Sequence, residues 1–373
     1  MAQNREVSST TKRRGTVRGK TGHALLLVLL VSTLGSGVGC GKQDGANATS
    51  SSADAATAET NRTSEELETE AGGGDIGAPG AVPDVDPAQA FEAAPGVTVI
   101  PDPRIDFVPN IGIVEGSEAV LVVDTGLGAS NGKRVLWKAR EIAGDRRLYL
   151  TTTHFHPEHS FGASAFQESA TLILNEAQAN ELQEKGPSYI DLFKTFGAQV
   201  AERLESTLLV EPDRVYSGEM TLDLGDREVI LREIPAHTRG DQLIYLPDAN
   251  LIFTGDIAET RFFPIMPDAD SSADRWIAVL RDLEALEPEI VVPGHGAVGG
   301  AEVLVAPRLH IEFMRDRVRE LAAADESQQA ITDLLVPAVT SIYPAWDNQV
   351  FLAFEIAILY AEATDTEPEL PGF

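Results

Sequence analysis

The sequence predicts an α/β protein of layered architecture with a helical C-terminal segment. Short apolar runs rich in β-branched residues alternate with segments of helical period between Phe91 and Gly296. One buried-looking run ends in the strand-to-turn sequence Val123-Asp124-Thr125-Gly126, and the residues after Gly296 carry apolar positions at helical spacing. With 373 residues, 43% of them hydrophobic, the chain has ample apolar material for a core.

Residues 1–40 have the layout of an export signal. Basic residues stand at Lys12, Arg13, Arg14, Arg18 and Lys20, followed by an apolar stretch from Ala24 to Leu34 and small residues up to Cys40. The apolar stretch is shorter than a membrane span needs. Cys40, the single cysteine, falls where a lipoprotein signal places its lipid acceptor, which predicts a membrane anchor through a lipid and a periplasmic or surface-exposed protein. Gly37, Val38 and Gly39 depart from the usual lipoprotein pattern, and the alternative is an ordinary signal peptide with an incidental cysteine. A lone cysteine excludes an intrachain disulfide and a cysteine metal ligand in the folded part.

Residues 41–88 are mainly Gly, Ala, Ser, Thr and acidic residues with few large apolar side chains, and read as a disordered tether. Net charge is −29; the first forty residues hold six basic and one acidic residue, so the remainder carries 23 basic against 57 acidic residues, a net of −34. That surface repels phosphate backbones, which excludes nucleic acid as a partner and favours a small-molecule substrate. Oligomeric state is not readable.

Residues 89–300 read as the catalytic domain and 301–373 as helices packed upon it. Strands are expected at Val97–Ile100, Ile111–Val114, Ala119–Val123 and Arg147–Thr152, with a helix over Asn131–Ala143 between the last two. A short helix around Gly162–Gln167 and a strand at Thr171–Leu174 follow. Glu176–Glu205 is helical, with breaks expected near Gly186-Pro187 and Gly197. Strands at Glu228–Ile234, Gln242–Leu246 and Asn250–Thr254, a helix over Ala273–Leu286 and a strand at Glu289–Val292 complete the domain. Helices are expected over Val303–Ala324 and Gln349–Ala363.

The chemistry is concentrated in Thr153-His154-Phe155-His156-Pro157-Glu158-His159. In extended backbone His154 and His156 project to the same side, so both reach one cation. Pro157 suits the first turn of a helix, which turns Glu158 and His159 toward a neighbouring position. Imidazole and carboxylate are ligand types that zinc accepts, at roughly 2.0–2.2 Å. Of the seven histidines, His23 and His310 stand outside any such segment and read as non-functional.

In order, Val-Asp-Thr-Gly, His-x-His-x-acid-His, Ala-His-Thr-Arg-Gly-Asp, Thr-Gly-Asp and Gly-His-Gly resemble the metallo-β-lactamase superfamily, in a glyoxalase II-like arrangement from about Ile111 to Gly296. The resemblance implies a four-layer αββα sandwich. It implies one metal held by His154, His156 and His237, and a second held by Glu158, His159 and His295, with Asp256 bridging. It also makes Asp124 a buried structural aspartate near the site. Asp241 is expected to support the His237 loop. The family usually has Asp where this chain has Glu158, so the second site is expected to be altered in pose or weakened. Arg239 stands where Pro is common, as a surface variation or an anion contact.

The resemblance implies a metal-dependent hydrolase in which a metal-held water or hydroxide attacks a small ester-, thioester-, lactone- or amide-like substrate, with Glu158 and Asp256 in the catalytic centre. Zinc, two per chain, is the expected cofactor, with iron or manganese as alternatives. A β-lactamase is disfavoured, because lactamases generally lack the bridging aspartate. Two other readings stay open: a mononuclear iron dioxygenase-type relative, and a catalytically silent binding lipoprotein. Loops near Phe107–Asn110, the Glu176–Glu205 helices and Arg261–Pro264 are the expected pocket walls, with Phe262 and Phe263 either in the pocket or in the core.

Overall fold

The structure is a computed structural model that describes residues 81–371. The export signal, Cys40 and most of the predicted tether lie outside the described residues.

Two sheets are stacked at the centre. The first runs β1 (Phe91–Ala94), β2 (Val97–Ile100), β3 (Ile111–Glu115), β4 (Ala119–Val123), β5 (Arg147–Thr151), β6 (Ala170–Asn175) and β7 (Arg214–Tyr216), in that spatial order. Its first four strands pair antiparallel, and β4 through β7 are parallel. The second sheet has the order β12 (Ile290–Pro293), β11 (Leu251–Gly255), β10 (Gln242–Leu246), β9 (Glu228–Glu233), β8 (Glu219–Asp223). Within it only β11 and β12 pair in parallel.

Side-chain alternation explains why these strands form two faces, since successive residues of a strand point to opposite sides. Leu121 and Val123 of β4, Tyr149 of β5 and Ile173 of β6 face the second sheet, meeting Leu231, Ile244, Leu251 and Phe253. Their neighbours Val120, Val122, Leu148, Leu150, Leu172 and Leu174 face outward onto α1 (Gly128–Ala143), α3 (Glu176–Lys194) and α4 (Ala198–Leu204). On the far side, Leu243, Ile252 and Val291 pack under α5 (Ala273–Glu284), α6 (Glu302–Ala323), α7 (Gln328–Ile342) and α8 (Leu352–Thr364). Three apolar interiors separated by two sheets make the four-layer αββα sandwich, and the C-terminal helices belong to its outer layer. Each fully buried aliphatic or aromatic side chain contributes about 1.5–3 kcal/mol relative to exposure.

Several elements differ from the sequence reading. Helix α3 continues through Gly186-Pro187, where a break was expected; one lost backbone bond is tolerated because Leu182, Gly186 and Phe193 are buried against the sheet. Helix α7 lies between the two C-terminal helices that were expected; Ile331, Leu335 and Val339 form its buried stripe, and Ser327 caps the start. Strands β1, β7 and β8 were also missed, being short and half exposed. At the end of the predicted tether, Pro83 and Val85 are buried, and the Asn131 side chain on α1 accepts from Val85 N–H at 2.9 Å and donates to the Pro83 carbonyl at 2.7 Å.

Candidate metal centre

The predicted ligands gather along one edge shared by the two sheets. Beyond β5 the sequence predicts an extended run, but the chain bends through Thr153-His154-Phe155-His156, which places Phe155 in the helix-side core and His154 and His156 in the first ligand set. Pro157 opens the one-turn helix α2 (Pro157–Ser160), which presents Glu158 and His159. His237 lies in the loop between β9 and β10. Asp256 follows β11 and His295 follows β12, at the carboxyl ends of that parallel pair.

Two sets of ligand atoms result. One atom from each of His154, His156, His237 and Asp256 lies within 4.8 Å of the others, and the same holds for Glu158, His159, Asp256 and His295. Asp256 belongs to both: its Oδ2 is 3.7 Å from His154 Nε2 and 3.8 Å from His237 Nε2, while its Oδ1 is 3.2 Å from His159 Nε2 and 3.9 Å from His295 Nε2. His156 enters through Nδ1, which is 3.1 Å from His237 Nε2. All seven residues are buried, Glu158 the most accessible at 8%. Despite its extra methylene, Glu158 therefore reaches the second set.

Most outer atoms of these ligands are held by the protein, the exception being His156 Nε2, which has no hydrogen-bond partner. His237 Nδ1 is 2.7 Å from the Ile265 carbonyl, and His159 Nδ1 is 2.9 Å from Asp124 Oδ2. His154 Nδ1 is 3.1 Å from Thr153 Oγ1, which donates in turn to Asp124 Oδ2 at 3.0 Å. The outer nitrogens of His156 and His295 face carboxylates of Asp268 and Asp102 at 3.9 and 3.7 Å. Such partners fix the ring orientation and tautomer of a ligating imidazole. Asp124 sits at φ 68°, a conformation uncommon outside glycine, and it also accepts the Thr153 N–H at 2.7 Å.

Inner atoms, by contrast, are left open. His154 Nε2, His159 Nε2, Glu158 Oε2 and Asp256 Oδ1 are buried without a hydrogen-bond partner. Orphaned buried polar atoms are rare and costly. Here they converge in two groups, and a divalent cation in each group fits a donor set of imidazole and carboxylate.

Electrostatics follows from that crowding. Burial alone would raise the Asp256 carboxyl, but His159, His295 and His154 outweigh it and hold the carboxyl well below its usual range. Burial alone would lower His295, yet Asp256 and Asp102 lift it to about 9. His159 is likewise lifted well above its ordinary value, Asp256 and Asp124 overcoming burial. His237, where burial and then His156 dominate, falls to about 3.

Close packing sets the positions. A Cβ on Gly294 would stand 1.9 Å from Asp256 Oδ1, so the β12 turn approaches the shared carboxylate only as glycine. A Cβ on Gly240 would meet the Gln178 backbone at 2.4 Å, which is how α3 presses on the His237 loop. Asp241 braces that loop: it accepts the Ala236 and Thr238 N–H groups at 3.0 and 2.8 Å and the Thr238 hydroxyl at 2.6 Å, and it touches no imidazole in the ligand set. Trp276 supports His237 from α5, with ring centroids 5.5 Å apart and its N–H donated to the Ile257 carbonyl at 2.8 Å.

Other sequence expectations settle by position. Arg239 pairs with Glu184 at 2.6 Å and with Asp270 at 2.9 Å. Phe263 is fully buried in the core, whereas the Phe262 ring lies 5.6 Å from that of His295. His310 pairs with Glu355 inside the helical layer at 2.9 Å.

Sequence reasoning missed Glu259, Asp102, Asp268 and Tyr189. Glu259 is 4% exposed with Oε1 unpartnered, and burial followed by repulsion from Asp256 holds its carboxyl well above the usual range. Its spacing of three after Asp256 was the available signal. Tyr189 stacks on His156 at 5.3 Å and donates its hydroxyl to Asp268 at 2.7 Å; Lys185 donates to the same carboxylate at 3.1 Å.

Comparison with known proteins gives a consistent family. The chain is 28% identical over 217 residues to the human acyl-coenzyme A thioesterase MBLAC2, covering 52% of this chain and 75% of that protein. It is 20% identical over 240 residues to a linear primary-alkylsulfatase of Pseudomonas sp., covering 55% of this chain and 46% of that protein. A metallo-beta-lactamase family protein from Thermus thermophilus shares the fold with a TM-score of 0.54 at 17% identity, covering 74% of this chain and 95% of that one. The family model described as the Metallo-beta-lactamase superfamily matches residues 104–295, more than half of the chain and the span that contains every ligand above, and the chain belongs to that superfamily.

Proposed function

We propose that this chain is a metal-dependent hydrolase that cleaves a small ester-, thioester-, lactone- or amide-like substrate, with zinc as its metal, two per chain. The observation that carries this reading is the pair of buried ligand sets sharing the two oxygens of Asp256. In this reading His154, His156 and His237 hold one cation, and Glu158, His159 and His295 hold the other. The hydrolytic activities named for the thioesterase and alkylsulfatase relatives support the same reaction class.

Divalent cations in these sets supply Lewis-acid polarisation of the scissile group and a water nucleophile at neutral pH. The chain's own residues do the rest. Asp256, held ionised by its imidazole neighbours, aligns the two sets through its two oxygens. Asp124 and the Ile265 carbonyl fix His159 and His237 with their inner nitrogens facing the site. Burial, then repulsion from Asp256, raises the Glu259 carboxyl well above its usual range. Burial of all seven ligands limits bulk water and strengthens the electrostatics.

Residues 1–40 and Cys40 further support export and attachment to a membrane through lipid. Phase partition of the mature protein in detergent tests this, with Cys40→Ser expected to move it to the aqueous phase.

Metal content by mass spectrometry, together with hydrolysis of an ester and thioester panel, tests the central reading. Bound zinc with turnover that vanishes in His156→Ala is the expected result. Protein that carries no transition metal, with panel hydrolysis unchanged in His156→Ala, would overturn it; bound iron with oxygen uptake and no hydrolysis would do so as well.

A further inference from the structure

Two loops hold His295 in place, and a third joins them. The first is the loop between β2 and β3. Its Asp102 carboxylate, on a side chain only 1% exposed, faces His295 Nδ1 at 3.7 Å and accepts the Gly296 N–H at 2.8 Å. Asn110, at the far end of the same loop, accepts the Asp102 N–H at 2.9 Å and donates to the Pro293 and Gly296 carbonyls at 3.0 and 2.8 Å. The second is the loop after β11. There Thr260 donates its N–H to the His295 carbonyl at 3.0 Å, and the Phe262 ring lies 5.6 Å from the imidazole. A Cβ on Gly296 would stand 2.4 Å from the Thr260 carbonyl oxygen, so this loop presses directly on the turn that carries His295.

Asp347 is where the two routes meet. It lies in the connection between α7 and α8, apart from both sheets and from both ligand sets. Its carboxylate pairs with the Arg104 guanidinium, and Arg104 donates its own N–H to the Oδ1 of Asp102 at 2.5 Å. Its backbone donates to the Arg261 carbonyl at 2.8 Å and accepts the Phe263 N–H at 3.1 Å, one residue to either side of Phe262. Arg104, Arg261 and Asn348, one from each loop, all hold left-handed backbone, at φ 60°, 65° and 63°. Non-glycine residues in that region cost about 1–3 kcal/mol each and persist where the surrounding contacts over-determine them. An ion pair on open surface contributes roughly 0–1 kcal/mol. Here the Asp347 side chain is 14% exposed and its backbone is already fixed, so the pair transmits position more than it adds stability. The imidazoles of the first set are held elsewhere, by Thr153, Asp268 and the Ile265 carbonyl.

We propose that Asp347 is a positioning residue for the second ligand set. With Arg104 it fixes Asp102 against His295, and through Arg261 and Phe263 it fixes Phe262 against the same ring. The helical layer thereby sets the affinity for one cation and leaves the other alone. The proposal rests on the two-metal part of the hydrolase reading and adds to it a control point outside the ligands.

The test is zinc affinity of the full-length chain, measured by competition with a chromophoric chelator. Asp347→Asn keeps the side-chain size and the backbone bonds and removes the charge facing Arg104. One zinc ion is expected to bind about three- to tenfold more weakly, short of the roughly 10–100-fold typical of a partner in direct contact with a ligand, and the other to bind unchanged. Arg104→Met, which deletes the same contact from the exposed partner, should match that loss, and Asp347→Glu should restore most of it. In a His295→Ala background, where the first set remains, Asp347→Asn should change nothing further. Unchanged affinity for both ions in Asp347→Asn, or an equal loss in the His295→Ala background, overturns the proposal and leaves the hydrolase reading standing. The expected zinc results with no turnover of any ester or thioester overturn the hydrolase reading and leave the positioning role standing. A chain that binds no zinc overturns both.

Discussion

Two regions of this protein bury histidine against carboxylate, and they do so in opposite ways. In the outer helical layer, His310 and Glu355 are almost wholly inaccessible and meet one to one at 2.9 Å, ringed by Phe263, Tyr343 and Trp346. At the sheet edge, five imidazoles and two carboxylates are also buried, but open atoms of His154, His159 and Glu158 are grouped with Asp256. Burial and proximity are common to both regions. Convergence is what sets the candidate metal centre apart: His310 Nδ1 and Glu355 Oε1 are also buried without a hydrogen-bond partner, but only at the sheet edge do several unpartnered atoms gather in two groups about a shared carboxylate.

The largest expected contrast comes from deleting one histidine in each region. His159→Ala should remove metal from the second set and lower hydrolysis by more than about 100-fold, beyond the range usual for losing only an outer partner. His310→Leu should leave metal content unchanged and instead destabilise the fold by about 3–5 kcal/mol, since Glu355 stays buried without its partner; replacing both with apolar residues should recover most of that loss. Thermal unfolding and metal analysis on the same samples check the contrast. Equal metal loss in the two single variants would erase the distinction.

Next in size is the outer shell. Asp124→Asn tolerates the left-handed backbone but weakens the carboxylate contact to His159, and metal affinity should drop by about 10–100-fold. Chelator competition measures this, and unchanged affinity would assign Asp124 to the turn alone.

A smaller effect should appear with pH. Asp256 and Asp102 hold His295 at about 9, so below that pH its proton must leave before a cation can bind. His159 is shifted in the same direction. Metal affinity should therefore rise as pH increases toward about 9 and level off beyond, with protons released on binding at pH 7. A pH-independent affinity with no proton release contradicts this. The smallest change is expected for Asp268→Asn, which leaves the Tyr189 stack on His156 in place and should weaken the first set by only a few-fold, read by the same chelator titration.

Much of this contrast was legible in the chain. Spacing placed Glu158 and His159 on the turn that Pro157 opens, and it put His154 and His156 together, although the chain brings those two to one set through a bend rather than along an extended segment. The same reading set His310 apart, since it lacked neighbouring ligand types. Strand positions that alternate between two apolar interiors, such as Val120 to Val123, were legible for the same reason. Asp102, Asp268 and Tyr189 were not, because they reach the imidazoles only through loops and helices brought together by tertiary packing. Helix α7 contains Pro337, whose local cost is offset by the buried stripe of Ile331, Leu335 and Val339. Glu158, expected either to join the second set in an altered pose or to weaken it, has a ligand atom within that set, where the one-turn helix α2 carries its backbone.

The most direct measurement of the central claim is metal stoichiometry by mass spectrometry on the purified chain and on Asp256→Ala and His295→Ala. Sharing of one carboxylate between two sets predicts about two divalent ions in the unaltered protein, about one in His295→Ala and close to none in Asp256→Ala. An Asp256→Ala protein that keeps its full complement of metal would contradict the shared centre on which this account depends.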